Sequence, residues 1–178
     1  MERNLKLWQI LGIILTIIFG TLLHFVFEWS GNNLLVGIFG AVNESSWEHL
    51  KLLFWPMLIY GLVEYFFSGK KYANYFPALT IGLLTGMIFI LAFFYTYTGI
   101  IGEHFLWLDI LSFILGAIVA FRSSYKVIKS GKFNGGIGKT FWIFILIILI
   151  ACFIFFTTSP PHIALFKDPI SGTYGIQL

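Results

Sequence analysis

Five apolar stretches, each close to the length that a bilayer core demands of a helix, occupy most of this 178-residue chain. They cover 7–27, 47–67, 76–97, 105–121 and 141–156. With 58% hydrophobic and 11% charged residues, a water-soluble domain of this size could not cover its own apolar surface. The expected fold is therefore all-α: a polytopic bundle of five transmembrane helices forming one domain over 1–178. A further apolar segment, 31–42, is too short to span and is expected to be re-entrant or to lie in the interface. Pro56, inside the second stretch, removes a backbone donor and predicts a kink. The first stretch follows Arg3 and Lys6. It is too long for a signal core of about 7–15 residues and no A-x-A-like site follows it, so it reads as a retained signal anchor.

The loops alternate in charge. Arg3, Lys6, Lys70, Lys71, Arg122, Lys126, Lys129, Lys132 and Lys139 fall on one side, and only Lys51 and Lys167 on the other. The positive-inside rule then places the N-terminus in the cytoplasm and the tail, 157–178, outside the cell membrane. This distribution also accounts for the net charge of +3 without a nucleic-acid partner. Gly138-Lys139-Thr140 lacks the glycine and the preceding strand of a phosphate loop, and Cys152 is alone in an apolar run.

With this orientation all four histidines, His24, His49, His104 and His162, fall at or near the outer face. Glu28, Glu44, Glu48, Glu103, Asp109 and Asp168 fall there too. His24 and Glu28, four residues apart, are expected on one helix face. Ser45-x-x-Glu48 fits a capping box, and Glu44 reads as solvated at the interface. His24, His49 and His104 come from three segments and can meet only in the folded bundle. Imidazole nitrogen and carboxylate oxygen are ligands of a zinc-like ion. Three such ligands and an open position would activate water against an ester or amide, with a carboxylate to move the proton. The expected site has His24, His49 and His104 as metal ligands, Glu48 and Glu28 as catalytic carboxylates, and zinc as the cofactor. Its partners would be the bilayer and a lipid-like substrate. Two other readings stay open: an ion or small-molecule transporter or channel subunit, and a non-catalytic scaffold.

Three smaller expectations follow. Glu64 is placed to pair with Lys70 or Lys71, or to reach the interface. Gly82, Gly86 and Gly116 suit close helix contacts. The tail carries turn signals with apolar anchors at Ile163, Leu165, Phe166 and Ile170, and is expected to fold back as a lid over the outer mouth.

Two motifs carry a resemblance to known families. The run Asn43-Glu44-Ser45-Ser46-Trp47-Glu48-His49-Leu50-Lys51 comes after His24-Phe25-Val26-Phe27-Glu28-Trp29 and before a Pro160-Pro161-His162 tail. With these elements the chain resembles, over nearly its whole length, a family of small bacterial multi-pass membrane proteins of unknown function. That resemblance implies a shared membrane architecture and brings no activity. Ser45 and His49 are also similar to the Ser-x-x-x-His element of metal-dependent membrane hydrolases that include alkaline ceramidases and adiponectin-type receptors. The late His-x-x-x-His element of those proteins is absent, and five spans stand where they have seven.

Overall fold

The computed structural model describes residues 2–177. Its helices are α1 (Glu2–Leu23), α2 (Val26–Trp29), α3 (Leu34–Gly37), α4 (Ser46–Phe67), α5 (Tyr75–Ile101), α6 (Leu106–Ser130) and α7 (Gly136–Thr158). Two short 3-10 turns cover Gly69–Lys71 and Ala164–Phe166. Among the described residues there is no strand, only an isolated bridge between Lys167 and Tyr174. Helices α1, α4, α5, α6 and α7 are long and apolar enough to cross a membrane, so the all-α bundle of five candidate spans is the observed fold. The α1–α4 and α5–α6 connections lie at one end together with the tail, here the tail end. The opposite end holds the N-terminus and the other two connections.

Helix α4 is the most enclosed of the five. Pro56 lies inside it without ending it. A proline at this position leaves the carbonyl four residues earlier, that of Leu52, without its helical donor. Gly20 of α1 fills this gap: a Cβ there would sit 2.3 Å from the Leu52 oxygen, so only a glycine lets the two backbones approach. The pairing of α5 with α6 uses the expected small residues. A Cβ on Gly82 would meet the Ala120 carbonyl at 2.7 Å, and one on Gly86 would meet the Ala120 Cβ at 2.6 Å. Close backbone approach of this kind replaces hydrophobic driving force when the surroundings are lipid.

The link between α1 and α4 is folded against the tail end. Helix α1 stops at Leu23, whose carbonyl accepts from Ala41 N at 3.3 Å, and helical geometry resumes only at Val26. The expected common face for His24 and Glu28 is therefore broken by a turn between them. The 31–42 segment forms the single turn α3, capped by Asn33 Oδ1, which accepts from Leu35 N at 2.9 Å. Its buried end is held by Lys51, which has no exposed surface. Lys51 Nζ donates to Gly37 O at 2.9 Å and to Thr157 Oγ1 of α7 at 2.7 Å, and it pairs with Glu48 at 2.6 Å. Glu48 Oε2 also accepts from Val42 N at 3.0 Å. One buried ion pair thus ties α3, α4 and α7 together.

The tail docks, but of the four expected apolar anchors only Phe166 is buried, while Ile163 and Ile170 remain exposed. Ile176 N donates to Thr157 O at 2.8 Å, and Asn43 Nδ2 donates to Gly175 O at 3.0 Å. Phe166 packs on Trp47 and Phe156. The His162 ring stacks on Tyr174 with centroids 4.4 Å apart.

A candidate metal centre on an amphiphilic pocket

At the tail end, α4, α5, α6 and the turn after α1 line a cavity of about 270 Å³. Its polar rim is His24, Glu44, His49, His104 and Asp109. Its wall is apolar: Leu52 of α4, Ile90, Leu91 and Phe94 of α5, and Phe113 of α6. Ser46, Leu106 and Ser112 also line it, and so do Pro169 and Ile170 of the tail, which therefore reaches the mouth. The cavity contains no lysine or arginine.

Local sequence sets the rim. Asn43 Oδ1 accepts from Ser45 N at 2.9 Å, a turn that fixes the direction of Glu44 just ahead of α4. Ser45 then caps the helix through Glu48 N at 3.4 Å. Only this half of the expected capping box forms. Asn43 occupies Ser45 N, and the Glu48 carboxylate turns inward to Lys51 and Val42.

His49, in the first turn of α4, places Nδ1 3.0 Å from Ser45 O. A carbonyl can only accept, so this nitrogen carries a hydrogen. The other nitrogen, Nε2, lies 3.4 Å from Glu44 Oε2. His24 Nε2 approaches the same oxygen at 3.8 Å, and the two imidazole centroids are 5.2 Å apart. One ligand atom from each of His24, Glu44 and His49 falls within 4.8 Å of the others. A neutral His49 would aim a lone pair at a carboxylate. That repulsion is relieved by a second proton or by a cation between them. A backbone carbonyl on the far nitrogen is also the usual way a metal-binding histidine is oriented. Ligand atoms about 2.0–2.1 Å from a tetrahedral ion lie about 3.3 Å apart; the 3.4 Å edge fits, the 3.8 Å edge needs a small closure, and the edge between the two imidazoles lies within 4.8 Å. The Glu44 carboxyl is held below the ordinary carboxylate range. The hydrogen bond that His49 donates once its second nitrogen is protonated is the main cause, and charge on His49, His24 and His104 adds to it against the effect of burial. It is therefore available as an anionic ligand.

His104 turns to a different partner. Its Nδ1 lies 3.1 Å from Asp109 Oδ2, and the other oxygen of Asp109 accepts from the Tyr97 hydroxyl. Tyr97 in turn accepts from Phe105 N at 3.3 Å. This chain orients the imidazole through Nδ1, and the His104 side chain is 72% exposed.

The structure thus brings His24 and His49 together and adds Glu44, while His104 stands across the same cavity with Asp109. Glu48 lies beneath the rim in its ion pair and does not line the cavity. Glu28 is exposed on α2, also outside the lining. His162 belongs to the tail stack, and Asp168 shapes the tail turn by accepting from Ile170 N and Ser171 Oγ. Sequence reasoning missed Glu44 and Tyr97 as site residues. The signal for Glu44 was Asn43, whose side chain builds the turn that aims it.

A family model described as a family of unknown function (DUF6512) matches residues 1–176. The chain belongs to the DUF6512 family. The expected kinship with a family of unknown function is thus met over almost the full length. No curated protein and no solved structure matches the chain. For this DUF6512 member, function has to be argued from the chemistry of the pocket.

Proposed function

We propose that this DUF6512 protein is a metal-dependent hydrolase of the cell membrane, with its pocket at the extracytoplasmic face and a lipid-like substrate. One observation carries the reading: a His-Glu-His cluster of metal-ligand spacing sits on the rim of a cavity whose wall is apolar. The orientation rests on the charge of the loops. At the tail end, the charge of Lys51 is neutralised by Glu48, which leaves Lys167 against the many basic residues of the other end.

In this reading His24, Glu44 and His49 hold a zinc-class ion, which supplies Lewis acidity and makes water nucleophilic near neutral pH. His104, oriented by Asp109 and Tyr97, accepts and returns the proton through Nε2. It takes the role that the sequence suggested for Glu48 or Glu28. The wall formed by Leu52, Ile90, Leu91, Phe94 and Phe113 receives the substrate's hydrocarbon, and the Pro169–Ile170 turn covers the mouth. Transport would require polar groups through the bundle. Instead, Leu53 and Met57 lie on α4 between the pocket and Glu64, both without exposed surface.

The test is release of fatty acid from single-chain acyl esters and amides in detergent micelles by zinc-loaded protein. Activity is expected for the wild type. His104→Ala is expected to lower it by about 100-fold or more while zinc stays bound. Zinc-loaded protein with no activity on either linkage would refute the hydrolase reading. Equal activity in His104→Ala would remove His104 from it.

A further inference from the structure

A second polar cluster lies at the other end of α4 and takes no part in the pocket. Glu64 follows His49 by 15 residues, about 22 Å along the helix axis. Its side chain is 1% exposed. Among the residues whose side chains are described, 4–177, no ion pair joins a lysine, arginine or histidine to its carboxyl. The expected pairing with Lys70 or Lys71 does not form, and Lys70 lies over the Phe66 ring instead. The groups seen to face Glu64 among residues with described side chains (4–177) are neutral. Gln9 of α1 donates Nε2 to both carboxyl oxygens, at 2.8 and 2.9 Å. Tyr75 of α5 places its hydroxyl 3.0 Å from Oε2. Tyr60, on α4 itself, spends its hydrogen on the Trp8 carbonyl.

The hydrogen count at Tyr75 bears on the state of this cluster. Its hydroxyl has one hydrogen but lies within bonding distance of two oxygens, Gly61 O at 2.8 Å and Glu64 Oε2 at 3.0 Å. If the nearer carbonyl takes that hydrogen, the second contact sets a hydroxyl lone pair against a carboxyl oxygen. It becomes a hydrogen bond only if Oε2 carries a hydrogen of its own. A buried carboxylate without a counter-ion is also among the costliest groups a bundle can hold, and taking up a proton is the ordinary escape.

We propose that Glu64 is a proton-binding site: it is carried as the neutral acid, with Oε2–H donating to Tyr75 and Tyr75 donating to Gly61. The proton holds together a three-helix joint, with Gln9 from α1, Glu64 from α4 and Tyr75 from α5. Its removal leaves an unpaired charge in a closed space, and α1 has to yield to water or a cation. Proton occupancy at this end therefore sets how tightly α1 lies on α4, independently of any metal or hydrolase chemistry at the other end.

Infrared difference spectra of the full chain in detergent at neutral pH provide the test. Wild type minus Glu64→Gln is expected to show the C=O stretch of one carboxylic acid, and Tyr75→Phe is expected to shift that band by removing its acceptor. The paired stretches of an ionised carboxylate in the Glu64→Gln difference would overturn the proposal. So would an acid region that Tyr75→Phe leaves unchanged. Glu64→Gln exchanges one neutral group for another and is expected to fold. If it does not, the Tyr75→Phe spectrum decides alone.

Discussion

Lys51→Met is expected to destabilise the protein by about 3–5 kcal/mol, as removal of one partner from a buried ion pair does. The methionine fills the volume but leaves the buried Glu48 carboxyl without its 2.6 Å counter-ion, so it has to bear an unpaired charge or take up a proton. It also removes the donor to Gly37 O and Thr157 Oγ1. The double change Glu48→Gln with Lys51→Met is expected to recover part of the loss, because it removes the stranded charge. Thermal unfolding in detergent of the two single variants and the double variant measures this coupling. A Lys51→Met protein as stable as wild type would show that the clamp does not hold the tail end together. The effect should also reach the rim, because the clamped segment leads through Val42 directly into Asn43 and Glu44.

The second large effect is on zinc. Equilibrium dialysis of purified protein is expected to find one zinc per chain. Glu44→Ala and His49→Ala are each expected to weaken binding by more than about 100-fold, beyond the range typical of residues that only orient a ligand. His104→Ala and Glu28→Ala are expected to keep it, since neither residue belongs to the cluster of ligand spacing. This panel separates the observed grouping from the one the sequence suggested, in which His104 is a ligand and Glu44 is not. Affinity should fall as pH drops, because protons taken up by the two imidazoles compete with the metal. Loss of zinc in His104→Ala with retention in Glu44→Ala would reverse the assignment.

Much of this architecture was legible because lipid imposes simple rules. Five apolar runs sufficed for five candidate spans, and Gly82 and Gly86 marked the place where α5 and α6 touch. Of the tail anchors, Phe166 marked where it docks, whereas Ile163 and Ile170 stay exposed. The gathering of histidines at one end was legible too, since turns between spans return them to the same side. What could not be read was the fate of individual carboxylates. Glu44 and Glu48 look alike in sequence, both within reach of His49. Their roles diverge because Asn43 stops the helix from starting earlier, which leaves Glu44 in a loop aimed at His49. Glu48 falls on the inward face, where Lys51 waits one turn on. The break after Leu23 was equally hidden. It depends on a hydrogen bond from Ala41, 18 positions later, which no helical periodicity can report. Glu64 was misplaced for a related reason: its partners Gln9 and Tyr75 come from other helices, while the lysines that looked available belong to the surface.

X-ray absorption at the zinc edge tests the central claim most directly. The account predicts a first shell of two imidazole nitrogens and carboxylate oxygen at about 2.0–2.1 Å, with the imidazole scattering reduced by one ring in His49→Ala. A shell with three imidazoles, or a zinc environment unchanged by Glu44→Ala and His49→Ala alike, would contradict it.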